Sequence, residues 1–364
     1  MFRCTWRVRI NITMADFKVN HITGKQGQQG TVLAGVTTVS STGSMRIPSG
    51  PTEQRGGRGR GLFAGGGYPS YKIDIQKIEI ATTGNGVDFG DMSQGRRGPS
   101  DGVSSSTRGL FGGGLGPSSS ASLDVINYVT ISSEGGASDF GDLTVARFMV
   151  KGHSNSIRGI FTGGYSTSPG RHRNIIDFVT IASTGDAVDF GDATDVSGNE
   201  YSTYGSGSSP TRGVFGGGYY APGVDVKKIA YITLATRGNS ETFGNLTDAR
   251  RDVGGFSSST RAVFGGGTDG GEPNSSNVID YVTIATLGDA TDFGDMASAG
   301  TGRPAGASNS IRGCFGGGKL SGSSVNTIAY LTIATTGNTT DFGDLTYAGF
   351  ELGGCSDSHG GIGD

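Results

Sequence analysis

The sequence predicts an all-β fold: a six-bladed β-propeller closed by a C-terminal strand and preceded by an extended N-terminal arm. A segment of the form Arg-Gly-x-Phe leading into glycines occurs six times, once with alanine in place of the first glycine, and its phenylalanines are 48 to 54 positions apart. A period near 50 residues with short apolar runs is typical of propeller blades. The recurring phenylalanines are Phe63, Phe111, Phe161, Phe215, Phe264 and Phe315.

Each repeat is predicted to supply four strands. The Arg-Gly-x-Phe segment is followed by an apolar run such as residues 278–285, and then by a Phe-Gly-Asp strand. Both alternating sets of side chains in the apolar run are largely apolar, so water must be excluded from both faces of that strand. A blade packed between two other blades meets this requirement. We expect the Arg-Gly-x-Phe segments to form the inner scaffold of the ring.

The two ends of the repeat region predict how the ring closes. Residues 352–361 match the Ser-rich piece that opens a repeat, but no Arg-Gly-x-Phe segment follows them. The first repeat lacks this opening and has Gln-Arg-Gly-Gly-Arg at residues 54–58 instead. A C-terminal strand that completes the first blade removes the open sheet edge. We therefore expect six blades over residues 58–364, with a fibrous β-solenoid as the alternative architecture.

Residues 1–57 are predicted to be an N-terminal extension and docking arm, and residues 1–13 an upstream extension if Met14 is the true start. Residues 30–39 indicate one or two short strands, and residues 41–51 a turn-rich connector. Residues 1–60 carry nine Lys/Arg against two Asp/Glu, whereas the rest carries 20 against 30. The basic residues are not in runs, so we expect a protein partner and not nucleic acid. The candidate docking side chains are Phe17, Val19, Val32, Leu33, Val36, Met45 and Ile47.

Composition argues against several function classes. Glycine makes up 69 of 364 residues, which alone would indicate disorder, but the apolar residues that recur in register argue for a folded chain. The cysteines Cys4, Cys314 and Cys355 are too sparse for a disulfide framework or a zinc site, and Cys314 fills a small apolar position of the repeat. No apolar run approaches the ~18 residues of a membrane span, so no membrane insertion is expected. The four histidines do not recur.

The recurring polar residues favour structural roles. The sequence shows no unique acid/base constellation, so neither an enzyme nor a cofactor is expected. The recurring arginines are predicted to join an Arg–Asp or Arg–carbonyl network. Paired aspartates in the Phe-Gly-Asp strands are predicted to bond nearby backbone amides in turns, with calcium binding as the minority alternative. These pairs are Asp88/Asp91, Asp139/Asp142, Asp189/Asp192, Asp292/Asp295 and Asp341/Asp344.

The loops that follow the glycine runs differ from repeat to repeat. Variable loops on a constant scaffold are the usual place for partner binding. Tyrosine presents both an apolar ring and a hydroxyl group, which suits contacts with a protein or with a sugar. Solvated loops without a partner are the alternative. The candidate contact residues are Tyr68, Tyr71, Tyr165, Tyr219, Tyr220 and Lys319.

The glycine doublets at this period resemble kelch-type propellers, although no paired Tyr and Trp recur and the single tryptophan is Trp6. A closer resemblance is to repeat proteins in the virions of tailed phages, particularly those of marine cyanobacteria. It rests on Ser-Ile-Arg-Gly-x-Phe-Gly-Gly-Gly, Ile-Asp-Tyr-Val-Thr-Ile-Ala-Thr and Thr-Asp-Phe-Gly-Asp-Leu, and on the arm segments Met14-Ala-Asp-Phe and Arg46-Ile-Pro-Ser-Gly-Pro. Together these motifs cover nearly the whole chain.

The resemblance implies a non-enzymatic structural or adhesive protein of the virion, assembled in the host cytoplasm. The leading expectation is a tail-fibre or tail-appendage component present in multiple copies, with the arm docked to other virion proteins. The propeller would then be exposed to a glycan or protein of the host surface. The alternatives are a capsid-surface decoration or knob and a propeller lectin that binds host glycans.

Overall fold

The six predicted blades are present. The computed structural model describes residues 38–39, 45–46, 59–67, 70–117, 121–193, 204–220, 223–271, 273–297 and 301–362. Every regular element in these ranges is a β-strand, and six four-stranded antiparallel sheets form the blades of a propeller. This confirms the predicted fold class. By its internal contacts the chain divides into two compact units, Met1–Thr52 and Glu53–Asp364.

In the first unit the structure describes one hairpin, in which β1 (Thr38–Val39) pairs antiparallel with β2 (Met45–Arg46). Met45 lies opposite Val39. This docking candidate therefore lies in a strand and not in a turn-rich connector. The other arm candidates lie outside the described residues: Phe17, Val19, Val32, Leu33, Val36 and Ile47.

The first three blades follow one pattern, and blade 3 adds a hairpin after its glycine pair. Within residues 60–91, blade 1 contains β3 (Arg60–Ala64), β4 (Asp74–Glu79) and β5 (Val87–Asp91). Blade 2 contains β6 (Val103–Ser104), β7 (Arg108–Gly112), β8 (Val125–Thr130) and β9 (Ser138–Asp142). Blade 3 contains β10 (Lys151–Ser154), β11 (Arg158–Thr162), the hairpin β12 (Tyr165–Thr167) and β13 (Gly170–His172), then β14 (Ile175–Thr180) and β15 (Val188–Asp192).

Blades 4 and 6 carry the same extra hairpin, and the last strand returns to blade 1. Blade 4 contains β16 (Gly205–Ser208), β17 (Arg212–Gly216), the hairpin β18 (Tyr219–Tyr220) and β19 (Val224–Asp225), then β20 (Lys228–Thr233) and β21 (Glu241–Asn245). Blade 5 contains β22 (Gly254–Ser257), β23 (Arg261–Gly265), β24 (Val278–Thr283) and β25 (Thr291–Asp295). Blade 6 contains β26 (Ala305–Ser308), β27 (Arg312–Gly316), the hairpin β28 (Lys319–Leu320) and β29 (Ser323–Ser324), then β30 (Thr327–Thr332) and β31 (Thr340–Asp344), and is followed by β32 (Gly353–Ser356).

The ring closes as the sequence predicts. Strand β32 pairs antiparallel with β3, with Cys355 opposite Leu62, so blade 1 is built from both ends of the repeat region. Its strand order is β32-β3-β4-β5, which matches the order in the other five blades. The second strand of blade 1 thereby gains the inner partner that its own repeat lacks.

The Arg-Gly-x-Phe segments form the second strand of each blade, and the prediction that they form the inner scaffold is wrong. The innermost strands are the short Gly/Ser-rich pieces, which contact one another around the axis. At some positions these strands approach so closely that no side chain fits: a Cβ atom on Gly306 would lie 1.9 Å from the carbonyl oxygen of Gly255. Glycine at such a position is therefore required for the close approach of the innermost strands.

Each apolar core lies between two adjacent blades. Val282 of β24 and Ile284, just after this strand, pack into the cluster shared with blade 4, whereas Ile279 packs into the cluster shared with blade 6. The apolar run of this strand is thus buried on both faces, as its sequence predicts. The repeated phenylalanines are at most 2% exposed at these interfaces, and Cys314 fills a small core position in the same layer.

Candidate functional site

The recurring arginines lock each blade to the next. The Nη1 group of each arginine donates to a backbone carbonyl at the end of the third strand of the following blade, and Arg312 of blade 6 reaches blade 1 in the same way. Five of the guanidinium groups also lie 4.6–5.3 Å from an aromatic ring of their own blade. This is the predicted Arg–carbonyl network. The contacts are Arg60–Ile131 at 2.7 Å, Arg108–Ile181 at 2.9 Å, Arg158–Leu234 at 2.9 Å, Arg212–Ile284 at 3.0 Å, Arg261–Ile333 at 3.1 Å and Arg312–Ala81 at 2.7 Å.

A second set of arginines is buried inside the blade interfaces. Arg147 pairs with Asp177 at 2.8 Å and Arg250 pairs with Asp280 at 2.9 Å, and all four side chains are fully buried. Arg96 donates to Asn127 at the equivalent place between blades 1 and 2. Burial raises the pKa of Asp280, and the neighbouring Arg250 opposes that rise. These pairs were not predicted from the sequence. The available signal was an aspartate inside an apolar strand, opposite the repeated phenylalanine.

The axis is closed at the end where the innermost strands finish. Serines of neighbouring innermost strands bond one another's backbone: Ser308 Oγ donates to Ser257 O at 2.8 Å, and Ser104 Oγ to Ser356 O at 2.7 Å. His359 lies across this ring, with Nε2 3.0 Å from Ser154 Oγ. The cavity beside the ring holds about 20 Å³, room for about one water molecule. The described residues at this end of the axis are therefore closely packed.

The opposite end of the axis is ringed by residues in the left-handed backbone region. Met149, Asp252, Arg303 and Glu351 have φ between 55° and 60°, a conformation that non-glycine residues rarely adopt. The amide of one such residue bonds the carbonyl of the preceding one, as from Arg303 N to Asp252 O at 2.8 Å. These inter-blade bonds account for the strained backbone.

The side chains at this end of the axis form ion pairs among themselves. Arg303 contacts Asp252 at 3.1 Å and Glu351 at 2.6 Å, and Lys151 contacts Asp101 at 3.0 Å. Burial raises the pKa of the Glu351 carboxyl, and Arg303 and Arg97 oppose that rise. Arg97, Lys151 and Arg303 are matched by three buried carboxylates, so this ring is electrically balanced.

The loops on the same face as this ion-pair ring bring four aromatic side chains into one line, which we call the aromatic row: Phe148, Tyr165, His172 and Tyr219. Successive ring centroids are 5.7, 5.1 and 5.2 Å apart, each pair in edge-to-face geometry. The guanidinium group of Arg251 continues the row, 4.2 Å from the centre of the Tyr219 ring. Side chains from the loop before blade 3, from the hairpins of blades 3 and 4 and from the loop before blade 5 are thus connected by one series of contacts.

Two hairpins build the row. In β12–β13, Tyr165 lies directly opposite His172, so the two rings share one side of the hairpin. In β18–β19, Tyr219 lies opposite Asp225, whose carboxylate pairs with Arg251 at 2.7 Å. A bridge between Phe148 and Tyr165 joins the row to the preceding inter-blade loop. Tyr165, His172 and Tyr219 are partly exposed, whereas Phe148 is buried.

The structure separates the predicted contact residues into two groups. Tyr165 and Tyr219 lie in the aromatic row, whereas Tyr71 and Lys319 lie elsewhere on the face. Arg97 lies 5.6 Å from the ring of Tyr71, and Lys319 lies 4.3 Å from that of Phe350. Tyr68 and the side chain of Tyr220 lie outside the described residues.

Phe148, His172 and Arg251 were not predicted from the sequence as members of this site. The equal distances of Tyr165 and His172 from the turn at Ser168-Pro169 could have indicated their pairing. The other two residues gave no comparable signal.

The aspartate pairs lie in the fourth strand of their blades. Asp292 makes the predicted kind of local bond, in which its carboxylate accepts from Gly294 N at 3.3 Å. The backbone amides of Asp192 and Asp295 instead donate to Asn239 Oδ1 and Asn338 Oδ1 of the following blade, each at 2.9 Å. Within the described ranges, no group of three His, Cys, Asp or Glu side chains is placed to hold a metal ion.

Comparison with protein-family models and with curated proteins finds no match to this chain. Among the described residues, no helix has the length and apolar character needed to cross a membrane.

Removing one member of a buried pair should be far more harmful than removing both. We expect Asp177→Ala to lower the free energy of unfolding by about 3–5 kcal/mol, because Arg147 is left buried without its partner. The double variant Arg147→Met, Asp177→Ala should recover most of this loss, since blade 6 already carries Ala329 opposite the repeated phenylalanine. Urea denaturation monitored by circular dichroism measures both. Equal losses in the two variants would contradict this role for the pair.

Stability should fall as the solution becomes more acidic than pH 6.5. Burial lowers the pKa of His153 and His359 to about 4, against about 6.5 in an unfolded chain. Between these values the unfolded state binds more protons, so the free energy of unfolding decreases as pH falls. From pH 6.5 to 5 we expect a loss of about 1–2 kcal/mol per histidine. The free energy of unfolding, measured by urea denaturation across this pH range, should decrease less steeply for His359→Gln than for the unchanged chain. An equal pH dependence in the two proteins would contradict a neutral, buried His359.

Proposed function

We propose that this chain is a non-enzymatic structural protein of a tailed-phage virion, most specifically a tail-fibre or tail-appendage component. In this proposal the arm of residues 1–57 docks to other virion proteins, and the propeller is exposed for contact with the host or another partner. One observation carries the proposal: the same arginine contact locks all six blade interfaces, whereas the loop face differs from blade to blade. The molecule thus combines a repeated blade scaffold with a loop surface that differs from blade to blade.

The uses of the titratable groups support a non-enzymatic role. The buried carboxylates Asp177 and Asp280 each face an arginine within the blade interface. The buried His359 is held by Ser154 and the backbone of Ser104 at the closed end of the axis. A general acid or base needs access to a substrate proton, whereas the contacts described for these groups are with other parts of the ring.

The form of the loop face supports the binding role. The aromatic row lies on hairpins that are anchored in blades 3 and 4, so its side chains are held by a rigid support. The sequence motifs that resemble phage virion proteins belong to the constant part of the blades and to the arm. The row belongs to the part that varies, which is where a partner-specific contact is expected.

Localisation in the virion tests this proposal. An antibody against the full chain should label purified phage particles at the tail in negative-stain electron microscopy, with several labels per particle. Antibody pre-absorbed with the purified chain is the control. Label on the capsid surface would overturn the tail position in favour of a decoration protein. Absence of the chain from purified particles, checked by peptide mass spectrometry, would overturn the virion role itself.

A further inference from the structure

We propose that the aromatic row with Arg251 is a binding site for an anionic saccharide, a sugar that carries a carboxylate or sulfate group. The inference rests on the proposed function only for its biological setting, contact with a host surface. The site itself is argued from the arrangement of rings and charges.

Three aromatic side chains form the platform of the proposed site. Tyr165, His172 and Tyr219 are partly exposed and stand in line on two hairpins, with edge-to-face contacts of 5.1 and 5.2 Å between neighbouring rings. Such contacts fix the rings against rotation and leave less entropy to lose on binding. The C–H face of a pyranose packs against an aromatic ring, and the tyrosine hydroxyl can bond a sugar hydroxyl. A row of rings suits a chain of sugar units.

The guanidinium group of Arg251 lies at one end of this platform. Arg251 uses its Nε atom in the ion pair with Asp225, and the second oxygen of Asp225 already accepts from Gly270 N at 2.7 Å. Among the described residues, no acceptor bonds the terminal nitrogens of Arg251. A guanidinium group binds carboxylate or sulfate oxygens through two parallel N–H groups. Arg251 is therefore placed to take an anionic group on a sugar stacked at Tyr219.

Acidic residues outnumber basic residues in the propeller as a whole. Residues 61–364 carry 20 Lys/Arg against 30 Asp/Glu, so the propeller as a whole repels anions. At the row, Arg251 contacts both the Tyr219 ring and the carboxylate of Asp225. The ion-pair ring at the axis is balanced. The row thus combines partly exposed rings with a guanidinium group at one end.

The size of the site favours a saccharide over an acidic protein. A stable protein interface takes about 800 Å² from each partner, with 20–30 residues a side. The row offers three partly exposed rings and one arginine, a narrow strip that matches an oligosaccharide. An acidic protein remains a distinguishable outcome of the test.

The test is a titration of the full chain with three oligosaccharides by isothermal calorimetry: an oligogalacturonate, a heparin-derived sulfated oligosaccharide, and the carboxyl-reduced, neutral form of the first. We expect at least one anionic probe to bind at least tenfold more tightly than the neutral one, with affinity falling as salt rises. A preference for the carboxylate or for the sulfate probe identifies the anionic group.

Variants assign the binding to the row. Tyr219→Ala should weaken binding of the anionic probe about tenfold or more. Arg251→Gln should weaken it to the affinity of the neutral probe, and Arg251→Lys should recover part of the loss. Tyr71→Ala is the matched control, because Tyr71 also contacts an arginine on the propeller but lies outside the row. Thermal melting checks that each variant folds.

The outcomes separate this inference from the proposed function. Binding of neither anionic probe, equal binding of the neutral one, or equal loss in Tyr71→Ala would overturn the saccharide site. An acidic protein bound through Arg251 would also overturn it while leaving a virion role intact. Absence from phage particles would overturn the proposed function without affecting the measured saccharide affinity.

Discussion

The propeller depends on one constraint: water must be excluded from both faces of the third strand of every blade. Ile279 and Val282 of β24 point to opposite sides and join the cores shared with blades 6 and 4. A blade with such a strand cannot be stable at an open end, because one apolar face would meet water. The chain meets this constraint by returning β32 to the first blade, so that each third strand has a neighbour on both sides.

The contacts that repeat around the ring follow from the same constraint. Packing alone brings two sheets together but leaves backbone carbonyls at the strand ends without partners, and such groups are costly when buried. The arginine that begins each second strand satisfies a carbonyl of the next blade, and five of the six also cover an aromatic ring. The loops beyond the glycine runs differ from blade to blade, and blades 3 and 4 use them to build the aromatic row.

Much of this architecture is predictable from the sequence, because the repeat period and the two-sided apolar run are local patterns. Ring closure was predictable from the unmatched residues 352–361. The position of the Arg-Gly-x-Phe strand was not, because close approach of Gly255 and Gly306 at the axis appears only in three dimensions. The Arg147–Asp177 pair and the convergence of His172 with Tyr219 join residues on different blades, and a period does not say which side chains meet across an interface.

Hydrogen–deuterium exchange at the C-terminal strand tests the closed ring most directly. The account predicts that peptides covering Gly353–Ser356 exchange as slowly as those covering Gly254–Ser257, the equivalent innermost strand of blade 5, because both are enclosed by neighbouring strands. Fast exchange at Gly353–Ser356, with Gly254–Ser257 still protected, would show an open blade 1 and contradict it.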